Sequence, residues 1–393
     1  MYCSKLIHKK NRLLKILYTI AWPLGQGGHI NSLLILIQDI IALGFNPKNI
    51  YLIAPKGGKL NYFLDLDINY IEIKKPSNNL ISLFSFSSKI LYYSFFLKIN
   101  IIHCLDYNSL KPSILSSLFS FKKIVFTKAG GTPIKTVLPS FQSFIVFSVE
   151  LLNFYNNESL SKSKIHLIFE RIKIDKSQKY IKDKLGNEFK IFIAMRMDIQ
   201  KSVLLDNLFS ELGLYKLERK LKIIIAGGGQ LLEKYKLIAH DLEEKKSSIN
   251  FKFLGEITDM KIIKHYNLNS NLIVGHGRGI LESMVIGKPV VLLGYDTKGS
   301  QLITSSNIKN ISDYNFSGRN LVYNKFDKTL SEILNSDNLG DLLKQCGDFN
   351  KSIISEKYDS IIGAKKTIEV YRNTPLYSVK DFFYNILWLI KKI

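Results

Sequence analysis

The chain has 393 residues, 46% of them apolar, and a formal net charge of +22. That length suits two domains of roughly 150–200 residues, and the apolar content excludes a disordered chain. Three scattered cysteines, Cys3, Cys104 and Cys346, show neither pairing nor metal-ligand spacing, which excludes a disulfide framework and points to a reducing compartment.

In the first half, apolar runs at 15–21, 50–54, 69–73, 99–104, 123–127 and 143–147 read as strands with helical stretches between several of them, a pattern that implies a parallel sheet. The first run is followed by PLGQGGHINSLL, where Gly25, Gly27 and Gly28 precede a helix from near Asn31 to near Gly44. A glycine loop there suits a close approach to phosphate, or is a plain turn between strand and helix. It lacks the full dinucleotide fingerprint, which disfavours a Rossmann oxidoreductase. Residues 80–97 are rich in Leu, Phe and Tyr but carry Lys89 and five serines, so they read as an amphipathic or partly buried helix and not a membrane span. Residues 1–14 are basic and lack the apolar core of a signal peptide, so a cytoplasmic location is expected.

Three positions in this half lie at strand ends, where open α/β sheets bind ligands. His103, with Asp106 close by to orient it, reads as a cleft histidine or as a strand-end cap. KAGGTP places Lys128 beside a Gly130-Gly131 turn, plausible for phosphate or sugar contact, and Glu150 either faces the ligand or complements a helix dipole. The charged, weakly patterned stretch 174–188 marks a domain boundary, giving an N-terminal domain over 1–178, a second over 188–365 and a tail over 366–393.

The second half carries the denser signal. Residues 189–194 read as a strand leading into MRMDIQK, with Arg196 and Lys201 five residues apart. A further strand at 222–226 leads to the turn Gly227-Gly228-Gly229-Gln230, and then comes FKFLGEITD. NLIVGHGRGILESMVIGKPVVLLG packs strand, glycine-bracketed turn, helix and strand into 24 residues, 271–294. Gly275, Gly277 and Gly279 clear side chains from the turn, so that backbone N–H groups meet an anion. His276 and Arg278 flank it, and Glu282 lies one turn into the helix, available to sugar hydroxyls or to Arg278.

This order of motifs over 189–300 resembles the retaining family 4 glycosyltransferases, glycosyl transferases group 1, in a GHGRG-type version. The resemblance implies the GT-B architecture: α/β, two Rossmann-like domains with parallel sheets facing across a cleft. It implies Arg196 and Lys201 as the cations that stabilise the leaving diphosphate, with His103 as a third catalytic candidate. Gly27, Gly28, Gly228, His276, Gly277, Arg278, Gly279 and Glu282 are then expected at the donor, and Asp106, Lys128, Gly130, Gly131 and Glu150 at the acceptor or cleft. The family's first glutamate, eight positions before Glu282, is Val274 in this chain. No cofactor or metal is expected beyond the nucleotide diphosphate sugar as donor.

The basic excess is uneven. Residues 1–180 carry 23 Lys and Arg against 9 Asp and Glu, net +14, whereas residues 181–393 carry 32 against 24, net +8. A basic face attracts an anionic membrane or a phosphate-bearing lipid-linked acceptor, although a Lys-rich composition bias would produce the same count. No nucleic-acid recognition motif accompanies it, so no nucleic-acid partner is expected. In the tail, Val379, Phe382, Phe383, Ile386, Ile390 and Ile393 recur at helical spacing with Lys380, Lys391 and Lys392 off the stripe. That helix returns to the N-terminal domain or docks on a membrane surface.

The expected function is a metal-independent glycosyltransferase of surface polysaccharide assembly, such as lipopolysaccharide or capsule, peripheral on the inner face of the cytoplasmic membrane. A non-catalytic nucleotide-sugar or polyanion-binding protein and a GT-B nucleotide-sugar epimerase are the alternatives.

Overall fold

A computed structural model describes residues 14–25, 27–77, 79–158, 160–174, 188–217, 219–257, 259–295, 299–325, 327–336 and 339–392. The chain divides into two compact units, one made of residues up to Lys173 together with Ser360 onward, the other of Ile174–Asp359. Most of the linker expected over 174–188, and Cys3, lie outside the described residues.

In the first unit the elements are β1 (Ile16–Thr19), α1 (Gly28–Ala42), β2 (Ile50–Pro55), α2 (Leu60–Leu64), β3 (Asn69–Ile73), α3 (Leu80–Phe96), β4 (Ile101–Cys104), α4 (Tyr107–Ser120), β5 (Lys123–Lys128), β6 (Ser143–Val146), α5 (Val149–Asn157) and β7 (Lys164–Leu167). The strands form one parallel sheet in the order β3-β2-β1-β4-β5-β6-β7. The six apolar runs named above all become strands, because ILYT, IIHC and SFIV are buried on both faces as a helix-covered parallel sheet requires. Strand β7, KIHL, escapes such a reading since its edge position leaves it half-exposed and its pattern weakly apolar.

The second unit contains β8 (Glu188–Ala194), α6 (Ser202–Gly213), β9 (Lys220–Ala226), α7 (Leu232–Lys245), β10 (Ile249–Gly255), α8 (Met260–Leu268), β11 (Leu272–Gly275), α9 (Arg278–Met284), β12 (Val290–Leu293), β13 (Ser300–Leu302), α10 (Ile308–Asp313), α11 (Leu330–Leu334) and α12 (Leu339–Lys357). Its sheet runs β10-β9-β8-β11-β12-β13, parallel except for β13, a three-residue antiparallel strand too short to carry a pattern. The chain then rejoins the first unit through α13 (Ser360–Asn373) and α14 (Val379–Ile390).

Alternation along the first sheet sorts its two cores. Ile16 and Tyr18 face a cluster that includes α1 and α13, while Leu17 and Ile102 face α3, α4 and α14, with Trp388 and Leu389 among them. The start of α14 follows from a capping box in which Ser378 and Asp381 satisfy each other's backbone N–H groups. The apolar residues of this helix split between two faces. Phe382, Ile386, Trp388 and Leu389 pack inward, and Asn385 anchors the helix by exchanging hydrogen bonds with the Ser140 backbone at 2.7 and 2.8 Å. Val379, Phe383, Leu387 and Ile390 remain exposed. Among the described residues no helix is long and apolar enough to cross a membrane.

A buried polar network ties α13 to the sheet. The Tyr371 hydroxyl lies 2.6 Å from His103 Nδ1 and 3.1 Å from the Tyr18 hydroxyl, and His103 Nε2 lies 2.7 Å from Thr127 Oγ1. Burial, with the Arg171 charge adding to it, pushes the His103 imidazole down to about 3. An unfolded chain protonates that histidine below about 6.5 while the folded chain keeps it neutral. Stability therefore falls as pH drops from 6.5 toward 3, on the order of 1 kcal/mol per pH unit from this group. Urea unfolding at pH 7.5 and 5.0 should show the loss, and His103→Gln should reduce it. An equal loss in the variant would mean that other groups carry the dependence.

Candidate functional site

In the second unit the strand order turns outward in both directions from the β8–β11 pair, and open α/β sheets bind ligands beyond the carboxyl ends of strands at such a reversal. The loop after β8 carries Arg196, Asp198 and Lys201. The loop after β11 carries His276, Gly277 and Arg278. These are the segments on which the sequence concentrates its donor-site candidates.

Glycines fix the geometry. Gly227 has φ 154°, and a Cβ on it would sit 1.9 Å from the Met195 carbonyl oxygen. Gly229 has φ 139°, with its Cβ position 2.4 Å from the Met197 oxygen. These close approaches allow Met197 N–H to donate to Gly228 O at 2.9 Å and Leu231 N–H to donate to Met197 O at 2.8 Å. The glycine-rich turn after β9 is therefore a brace for the loop bearing Arg196 and Lys201, and Gly228 itself lies against Glu256, 3.2 Å from its Cβ to the Gly228 Cβ position. Gly277 is different. It adopts φ 64° and ψ −144°, a region open to glycine alone, with nothing within 4 Å of its Cβ position, so open space stands in front of the turn. Helix α9 has only seven residues, so its dipole contributes little beyond its first N–H groups and side-chain cations carry the positive field.

Asp198 stands among those cations. Arg196 Nη2 is 3.2 Å from Asp198 Oδ2, with the arginine side chain 59% exposed. Lys201 Nζ lies 3.4 Å from the Tyr295 hydroxyl, and its ammonium is pushed below its usual range by burial, with Asp198 opposing and Arg196 and Arg319 adding to the shift. Arg319 is a member the sequence reading missed. It sits in the FSGRN loop, where Gly318, with φ 74° and its Cβ position 2.0 Å from the Leu293 oxygen, holds the chain against the end of β12. Phe316 O accepts from Gly277 N at 2.5 Å and Gly318 O accepts from Tyr295 N at 3.1 Å, so this loop is stitched to the GHGRG turn. The signal available in the sequence was one glycine before an arginine, indistinguishable from an ordinary loop.

His276 is half-buried and neutral, pushed down to about 3 by desolvation and then by the Lys201 and Arg196 charges. Its Nδ1 and Asp198 Oδ1 are buried without a hydrogen-bond partner. Unmatched polar atoms cost stability unless a ligand meets them. Arg278 and Glu282 pair with each other, Nε to Oε1 at 2.8 Å, with the arginine side chain 8% exposed. Gly279 lies 3.8 Å, at its Cβ position, from the Ala194 oxygen and serves the packing of α9 on β8. Val274, where the resemblance leads one to look for a glutamate, is a core residue of β11.

The first unit corrects three expectations. His103 is fully buried with both ring nitrogens engaged by Tyr371 and Thr127, so it is a core residue and not a catalytic one. Asp106 does not orient it. Its carboxylate caps α4 by accepting from Ser109 N at 2.7 Å and also accepts from Ala21 N at 2.8 Å, which joins the ends of β4 and β1. Glu150 sits in the first turn of α5 behind the Ser148 cap, the helix-charge placement. Lys128 donates back to Gly130 O, and Gly131 curls beside the same ammonium. His29, in the first turn of α1 just after Gly27, was also missed; burial and then Lys128 lower its basicity, and its Nε2 is buried without a partner.

No protein-family model and no curated protein matches the chain. Solved structures do. A glycosyltransferase from Rickettsia africae ESF-5 has 16% identity over 92% of this chain and 98% of its own, with a TM-score of 0.66. The sucrose-phosphate synthase of Thermosynechococcus elongatus has 14% identity over 91% and 98%, with a TM-score of 0.63. Anabaena HepE, solved in complex with UDP and glucose, has 15% identity over 92% and 100%, with a TM-score of 0.61. The fold is thus the α/β fold of the GT-B glycosyltransferases.

The brace predicts a sharp contrast. Gly227→Ala forces a methyl into a backbone carbonyl and should destabilise the second unit by about 2 kcal/mol or more. Gly58→Ala, with nothing within 4 Å of its Cβ position, should change stability by less than about 0.5 kcal/mol. Thermal unfolding of the two variants side by side checks this; equal midpoints would refute the brace.

Proposed function

We propose that this protein is a glycosyltransferase that moves a sugar from a nucleotide diphosphate sugar to a glycan or lipid-linked acceptor, with retention at the anomeric carbon. The observation that carries this reading is the cluster of Arg196, Lys201 and Arg319 at the strand reversal of the second unit, with Asp198 as the charged partner of Arg196. Cations placed before any charge arrives, Lys201 and Arg319 half-buried and Arg196 exposed, are suited to stabilise a leaving diphosphate, because they need little reorganisation when the negative charge develops. Side-chain cations supply that stabilisation without a metal in this reading. The neutral His276, with an unmatched Nδ1 beside them, is suited to a hydrogen bond with donor oxygen and not to a second ion pair.

Arg278 and Glu282 act in this reading as a paired unit. The glutamate retains a second oxygen for a ribose hydroxyl while the arginine holds its rotamer. HepE was solved with UDP and glucose, which makes a UDP-sugar the first donor to try. Surface-polysaccharide assembly at the inner face of the membrane is the setting we assign, on the basic excess of the first 180 residues.

Calorimetric titration with UDP-glucose, GDP-mannose, ADP-glucose and a CMP sugar tests the donor site. One diphosphate sugar should bind selectively, and Lys201→Ala and Arg319→Ala should each weaken it about tenfold or more, since each removes a charge-assisted contact. Affinity should also fall with added salt. A folded protein that binds none of these donors would refute the assignment and favour the polyanion-binding alternative.

A further inference from the structure

The first unit has its own strand reversal, between β1 and β4. A cavity of about 1030 Å³ opens beside it, lined by residues that follow β1, β3 and β4, by α3 and by the end of α14. Its character is divided. Leu83, Phe86, Pro112 and Trp388 supply an apolar wall, whereas Lys75, Lys111 and Lys392 supply three ammonium groups, and no Asp or Glu is among the lining residues. Lys111 Nζ donates to the Lys392 carbonyl at 2.8 Å, and Lys75 Nζ stands 5.0 Å over the Trp22 ring, so two of these cations are held by neutral groups and not by carboxylates. Burial and the neighbouring Lys392 charge lower the basicity of Lys111.

The helices that border the cavity also carry exposed apolar side chains. Ile81 on α3 is 81% exposed, and Leu387 and Ile390 on α14 are 61% and 69% exposed. Isolated exposed apolar side chains are ordinary, but the cavity's own lining joins an apolar wall to three lysines at a ligand-binding position of the sheet. A free phosphate would satisfy the lysines and waste the wall. A neutral apolar molecule would do the reverse. Only an amphiphile with an anionic head answers both, with its head among the lysines and its hydrocarbon against Phe86, Trp388 and the helix surfaces.

We propose that this cavity binds the phosphate head and first hydrocarbon segment of a phosphate-headed lipid, the anchored end of the sugar acceptor. The assignment as acceptor rests on the glycosyltransferase reading; the binding site itself does not.

The chain contains two tryptophans, Trp22 and Trp388, and both line the cavity. Tryptophan emission of the full chain therefore reports on this place without labelling. Dodecyl phosphate, titrated below its micellar concentration, should shift the emission saturably, and Lys75→Gln/Lys392→Gln should weaken it about tenfold or more. Circular dichroism of the variant and its UDP-glucose affinity establish that it is folded. Dodecyl maltoside and inorganic pyrophosphate are the controls. Saturation by pyrophosphate with equal affinity would make the site one for a free anion, and equal binding of dodecyl maltoside to both proteins would make it apolar adsorption; either overturns the proposal, as does no saturation. Donor binding with no response to dodecyl phosphate would sink this inference alone. The opposite pair of results would sink the donor assignment and leave the lipid site standing.

Discussion

The close backbone approach between the ends of β8 and β9 is the constraint on which the geometry of the proposed donor site depends. Two carbonyl oxygens, of Met195 and Met197, occupy the space where side chains at 227 and 229 would begin. Only with that space empty do the two loops exchange hydrogen bonds, and only then is the loop with Arg196 and Lys201 rigid enough for its charges to be placed in advance. The glycines thus act at one remove from any ligand: they are absences of side chain that let one backbone hold another.

Electrostatics builds on that frame. Desolvation lowers the proton affinity of Lys201 and His276 alike, with opposite chemical results. The lysine remains a cation that an incoming anion would stabilise further. The histidine stays neutral, because burial disfavours its charged form and the neighbouring cations add to that. A site that looks uniformly basic in sequence is in fact a mixture of charged and neutral donors.

Much of the fold was legible because buried parallel strands must be continuous apolar runs, and six such runs marked the first sheet. The placement of Arg196 and Lys201 in one loop after a strand was legible from the order of motifs. Arg319 was not, since its relevance comes from a contact between Phe316 and Gly277, some forty residues apart in the chain and without a local pattern. His103 misled for a related reason. A histidine at the end of a strand looks available until Tyr371 arrives from a distant helix and claims it, a pairing of residues 268 positions apart. The tail stripe was also read too simply, because a period of 3.6 residues reports that apolar residues share a face but not how wide that face is. On α14 it is wide enough to serve two environments.

The discontinuity of the first unit affects the order in which the protein can be built. The second unit is a single continuous stretch, Ile174–Asp359, and can close its core as soon as it has been synthesised. The first unit begins earlier yet finishes later, since Tyr371, Trp388 and Leu389 are core residues that follow the second unit in the chain. Until then His103 and Tyr18 lack their shared hydroxyl, and apolar faces of the first sheet and of α4 lie open to solvent. A nascent chain of this protein thus carries an unfinished, sticky N-terminal half past the completion of its neighbour, which makes that half the natural client of chaperones during synthesis.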